Sequence, residues 1–354
     1  MKKISTPITH IKVGRRSNPS EKRPNNWEDM DTNNLNLPER DKIVFCFGGN
    51  TTTNEPAANG NAKIIASLIN PDCMADTSIF SFYYDKEPFT SQITLLPEFK
   101  KDTETLYSKI FQPLLYDKDG TIISQQKIEA LFNRIILTAH CGGSSFANTI
   151  IESMYKTLQE RYSPNTALNL INKVQYYAYA PSHLPNTKLQ PKSLYITPFF
   201  DIHGSWQNAV ITIENNQKLY TAHPDGIFRR LLDARKSLYP ETLVRKEFDD
   251  TRAILFKSGN STFLMPGRIN PNTTTGDHTI ECVGKDELLH SKTDFATTAQ
   301  LTREISILYM NQFLTVSNMD TKATFDIAAK MIDQNPPTAQ SNPPLPSSTS
   351  PEMN

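Results

Sequence analysis

A cysteine set between a histidine and two glycines, Ala139-His140-Cys141-Gly142-Gly143, is the part of this chain best suited to chemistry. It reads small, any, nucleophile, any, small. Small residues at both ends let a tight turn bring two backbones together. The five residues before the histidine, 135–139, are apolar apart from Thr138 and rich in β-branched side chains, which predicts a buried strand. After the turn, Phe146, Ile150, Ile151, Met154 and Leu158 recur at three- and four-residue spacing, which predicts an amphipathic helix. Strand, turn and helix together lift Cys141 to an apex, aimed away from the sheet and close to the first amides of a helix. Negative charge is stabilised there, and a thiolate is the nucleophilic form of cysteine. The plain alternative is that Cys141 is a small hydrophobe filling space.

The run 137–147, Leu-Thr-Ala-His-Cys-Gly-Gly-Ser-Ser-Phe-Ala, resembles the nucleophile elbow of the α/β-hydrolases, and within them the class-3 lipase-like families. Their pattern is apolar-Thr-Gly-His-Ser-x-Gly-Gly followed by small residues. This chain departs from it at two places, with Ala139 for the first glycine and Cys141 for the serine. Cysteine is chemically competent at an elbow, and the dienelactone hydrolases carry one. The match covers about a dozen residues.

Acyl transfer needs a nucleophile, a base to take its proton, an acid to orient that base, and two donors for the oxyanion. The resemblance implies the chain order nucleophile, acid, histidine. Cys141, Asp201 and His278 arrive in that order, each after a suitable element. The resemblance also assigns the oxyanion donors to the amide of Gly142 and to one from Gly49 or Asn50, in a glycine-rich turn after an early strand. That turn has an equally good structural explanation in backbone freedom. His203 and His290 compete for the place of the base, and Ser144 is a reserve nucleophile. His140 is read as a packing residue of the turn. The substrate implied is a small-molecule or lipid-like acyl compound, and no cofactor is expected.

Other chemistries fit less well. His-Cys also opens the cysteine-phosphatase loop, His-Cys-x5-Arg, but position 147 holds Ala147 and cannot clamp a phosphate. The glycines lack Walker A spacing and a following lysine. The Asp-Lys-Asp-Gly run at 117–120 lacks the remaining ligands of a calcium loop and reads as a plain turn. No metal cluster is evident.

The elements that must position these residues follow from pattern. Residues 41–50, 78–84, 173–181 and 194–205 contain buried strands, and helices are predicted near 64–69 and within 98–134. Strands alternating with helices imply an α/β fold: a three-layer sandwich with a mostly parallel sheet, α/β-hydrolase-like, with antiparallel hairpin additions. Ligand-facing residues then lie at the carboxyl ends of the strands, where Asn50, Cys141, Ser182 and Asp201 fall.

Residues 206–265 read as hairpins or a small cap, with turns at Asn215-Asn216 and Gly259-Asn260 and a helix at 227–238. A loop over 266–277 leads to His278, and the last helix of the domain spans about 296–315. The organisation is then a polar, basic N-terminal arm without structure at 1–40, a main domain at 41–316, a short helix at 317–334 and a Pro/Ser-rich tail at 335–354.

With 37 basic and 37 acidic residues, no overall field favours nucleic acid or membrane. The four cysteines have no C-x-x-C spacing, which suits reduced thiols in a cytosol-like compartment. No apolar run is long enough for a transmembrane segment, and the first ten residues lack a signal-peptide core. The expectation is a cytoplasmic protein, or one exported by a specialised bacterial secretion system toward a host protein partner.

Overall fold

The computed structural model describes residues 11–15, 26–29, 42–49, 52, 54–84, 103–186, 188–198, 201, 220–221, 253–267, 269, 294–316 and 319–334. Its centre is a run of six parallel strands. In spatial order these are β4 (Thr77–Tyr84), β3 (Lys42–Phe47), β5 (Ile135–His140), β6 (Gln175–Tyr179), β7 (Lys192–Ile196) and β10 (Ser261–Pro266). Antiparallel strands extend both edges. On one side β1 (Ile11–Arg15) and β2 (Asn26–Asp29) add to β4, and on the other β9 (Ala253–Ser258) and β8 (Tyr220–Thr221) add to β10.

The central strands read as unbroken apolar runs because both faces of the sheet are covered. Period-two alternation then deals residues to two cores. Ile43, Phe45 and Phe47 join Leu137, Tyr176 and Tyr195 on one face, while Val44, Cys46, Ile136, Tyr177 and Leu194 go to the other. Helices α2 (Gln125–Phe132), α3 (Gly143–Leu158) and α4 (Pro164–Ile171) pack on the first face. Helices α1 (Glu55–Ser67), α5 (Asp294–Thr315) and α6 (Thr321–Asp333) pack on the second. The result is the expected α/β arrangement in three layers. The stripe on α3 is the one the spacing predicted: Phe146, Ile150, Ile151, Met154 and Leu158 are all buried in the first core.

Local signals set the helix starts. Asn54 caps α1 by accepting from the Ala57 amide at 3.0 Å, and Pro56 lies in the first turn. Asp320 caps α6 through the amides of Lys322 and Ala323, and those bonds hold its carboxyl below the usual value. The 117–120 turn is closed by its own first residue, since Asp117 Oδ1 accepts from the amides of Asp119 and Thr121.

Two expectations need correction. The arm at 1–40 is not wholly without structure, because β1 and β2 lie within it. Ile11 and Val13 alternate with polar residues, and β4 offers an open edge for β1 to pair with. The hairpin turning at Gly259-Asn260 forms, with Gly259 at φ +58°, yet it is more than an edge addition. Its second strand, β10, pairs in parallel with β7, so the chain leaves β10 at the same sheet edge as it leaves β5. The expected turn at Asn215-Asn216, the helix at 227–238 and the tail at 335–354 lie outside the described residues.

Candidate active site

At the carboxyl edge of the sheet, β5 ends at His140 and α3 begins at Gly143, leaving Cys141 and Gly142 to make the turn. Cys141 has φ +48°. A residue with a Cβ avoids this left-handed region at a cost of about 1–2 kcal/mol, so its neighbours must hold it there. They do so through its carbonyl. The oxygen accepts from the Ser144 amide (3.1 Å), the Ser144 hydroxyl (2.7 Å), the Ser182 amide (3.2 Å) and the Ser182 hydroxyl (3.1 Å). The Cys141 amide in turn donates to the Tyr179 carbonyl at 3.2 Å.

Close approach of backbones explains the small residues. A Cβ on Gly143 would collide with the Phe47 carbonyl oxygen and lie 2.5 Å from that of Gly48, so only glycine lets α3 start against the end of β3. A Cβ on Gly49 would lie 3.1 Å from the Cβ of Cys141 and 3.2 Å from Nδ1 of His140. The Gly48-Gly49 turn therefore lies directly against the side chain of Cys141. Two of the three expected oxyanion residues, Gly49 and Gly142, are thus beside the cysteine; Asn50 lies outside the described residues. His140 is half-buried with its ring 6.1 Å from that of Tyr179, in keeping with a packing role.

Asp201 is buried, five residues beyond the end of β7, and its amide donates to the Pro198 carbonyl at 3.3 Å. β5 and β7 are two inter-strand steps apart, roughly 10 Å. A bridging imidazole is needed to connect a carboxyl at β7 with a thiol at β5. The three histidines considered for that place, His278, His203 and His290, all lie outside the described residues.

Ser144 is not a reserve nucleophile. It has no exposed surface, and its hydroxyl is turned inward onto the Cys141 carbonyl. It locks the turn instead.

Sequence reasoning missed His183. Nδ1 of His183 lies 3.0 Å from the Ser145 hydroxyl and 3.2 Å from the Ser182 hydroxyl. Two polar residues straight after Pro181, at the end of a fully buried strand, were the available signal. Desolvation on its packed side lowers the His183 pKa from 6.5, although part of the residue faces solvent. The folded ring holds a proton less tightly than the unfolded one, so acid favours unfolding. Melting temperature should therefore fall as pH drops below 6.5, and fall less in His183→Asn. Parallel curves for the two proteins would refute this.

Among the described residues Cys46 is the fully buried thiol. Burial pushes its pKa up to about 12, against a smaller opposing effect of its contact with Thr138. Among the described residues no group of three or more His, Cys, Asp or Glu is placed to hold a metal ion, and no helix is long and apolar enough to cross a membrane. No protein-family model matches the chain, and no curated protein matches its sequence.

Proposed function

We propose that this chain is an α/β-hydrolase-like acyl hydrolase or acyltransferase, acting on an ester, thioester or amide through Cys141. The observation that carries the reading is Cys141 itself: a non-glycine residue at φ +48° between a parallel strand and a helix, with Gly49 against its side chain. An elbow of this kind presents a nucleophile at the carboxyl edge of the sheet.

In the proposed reaction the Cys141 thiolate attacks the acyl carbon and forms a carbon–sulfur bond. The carbonyl electrons move onto oxygen, where the Gly142 amide and one amide from Gly49 or Asn50 receive them. His278 takes the thiol proton and returns it to the leaving group, and Asp201 orients the imidazole. Water or another acceptor then releases the acyl group from sulfur. A second reading, a hydrolase-like scaffold that binds without turnover, draws on Ala139 and Cys141 standing where the family pattern has glycine and serine. Its setting would be a secreted effector with a host partner.

Labelling separates the two readings. Iodoacetamide should modify Cys141 faster than Cys73, the half-buried cysteine on the second helical face, and leave Cys46 untouched until the protein unfolds. A fluorophosphonate should leave Ser144 unlabelled. Intact mass with peptide mapping reads all of these, and Cys141 reacting no faster than Cys73 would favour the scaffold.

A further inference from the structure

The turn carrying Cys141 is gripped on the flank away from Gly49 by a polar cluster that the proposed mechanism does not use. Its members come from the end of β6 and the first turns of α3. Ser182 gives both its amide and its hydroxyl to the Cys141 carbonyl. Ser144 does the same, and its oxygen accepts from the His183 amide at 3.2 Å and lies 3.2 Å from the Ser182 hydroxyl.

His183 is tied at three points. Its ring meets Ser145 and Ser182, its amide meets Ser144, and its carbonyl accepts from Asn148 Nδ2 at 3.0 Å. The chain reaches this position through Ala180 at φ +44°. Ala180 and Cys141 are the two non-glycine residues with positive φ among the described residues. Two strained residues thus stand on either side of one hydrogen-bonded cluster.

The peptide plane gives the cluster its consequence. A trans peptide points its C=O and N–H in opposite directions. The carbonyl of Cys141 and the amide of Gly142 belong to one such plane. Fixing the oxygen toward Ser182 therefore fixes the Gly142 N–H toward the opposite side. That amide is the one assigned to the oxyanion.

We infer that Ser182 and His183 are positioning residues that aim the Gly142 amide at the oxyanion; this rests on the reading of Cys141 as the acylated group. A carbonyl oxygen only accepts, so the single Ser182 hydroxyl proton goes to Cys141. The Ser182–His183 bond then takes its proton from Nδ1. The order His183 Nδ1–H to Ser182 O–H to the Cys141 carbonyl gives each of these two contacts a proton, with Nδ1–H shared between the Ser182 and Ser145 oxygens. His183 acts at one remove, by holding the Ser182 hydroxyl in its donating direction.

The test compares two reactions of the same sulfur. Acetylation by p-nitrophenyl acetate forms a bond from the Cys141 sulfur to the acetyl carbon and expels p-nitrophenolate with the bonding electron pair, through an oxyanion. Alkylation by iodoacetamide displaces iodide at a saturated carbon and forms no oxyanion.

Ser182→Ala and His183→Ala should each slow acetylation of Cys141 about tenfold, less than the hundredfold or more for removing an oxyanion donor outright. Alkylation should change by no more than about twofold, and Ser182→Thr and His183→Asn should restore acetylation. Intact mass and p-nitrophenolate release read both rates on the full chain. Unchanged acetylation in both alanine variants would overturn the inference and leave the reading of Cys141 standing. So would acetylation and alkylation falling together, with a lowered melting temperature and no rescue, since that describes a purely structural role. Wild-type Cys141 acetylated no faster than Cys73 would overturn both.

Discussion

Cys141→Ala should retain the fold and lose acyl transfer, with turnover of an activated ester falling by about ten-thousandfold or more. The thiol is half-exposed, and the bonds that hold the turn belong to the backbone carbonyl, so little stability leaves with the sulfur. A companion variant isolates the local strain. Alanine inherits φ +48°, whereas glycine adopts it freely, so Cys141→Gly should be more stable than Cys141→Ala by about 1 kcal/mol. Denaturant melts of both proteins, alongside burst kinetics with p-nitrophenyl acetate, give the two answers separately. Undiminished turnover in the alanine variant would end the proposed role of Cys141. Equal stabilities would mean that the turn relaxes once its side chain is removed.

The second large effect is on stability. Gly143→Ala places a methyl group against the carbonyls of Phe47 and Gly48, both backbone atoms at the end of a central strand. Neither can move without disturbing the ladder that β3 shares with β4 and β5. A loss of about 2–4 kcal/mol is expected, near the upper end for overpacking. The same substitution at Gly60, within α1 and with open space where the Cβ would go, should stabilise by about 0.5–1 kcal/mol. Opposite signs for one chemical change would show that the close approach, rather than the loss of glycine, is responsible. A Gly143→Ala protein that melts with wild type would refute the packing of α3 against β3.

Much of this was legible in one sequence because periodicity is a local property. The unbroken apolar runs at β3 and β5 announce strands covered on both faces, and the 3- and 4-residue recurrence from Phe146 to Leu158 announces the face α3 buries. The turn around Cys141 was legible for a related reason, since backbone approach demands small residues at fixed offsets. Contacts between distant segments were not legible. Ser182 and His183 matter to Cys141 because β6 lies beside β5, and nothing within 41 residues of chain announces that pairing. Ser144 resembled a spare nucleophile because sequence shows a hydroxyl without its direction. β1 was read as part of a tail because a short alternating run becomes a strand only when an edge such as that of β4 awaits it.

The grip on Cys141 from both sides also bears on the order of events during folding. Gly49 comes from the end of β3, Cys141 from β5 and Ser182 from β6, so three strands must be paired in register before the turn exists. Parallel pairings need crossovers, and such long-range contacts close slowly. Cys46, by contrast, lies on β3 between its parallel neighbours β4 and β5, opposite Ser81 and Thr138. During refolding, protection of Cys46 from alkylation should precede recovery of the proposed acyl transfer at Cys141, and the lag between them would time the docking of β6 onto β5.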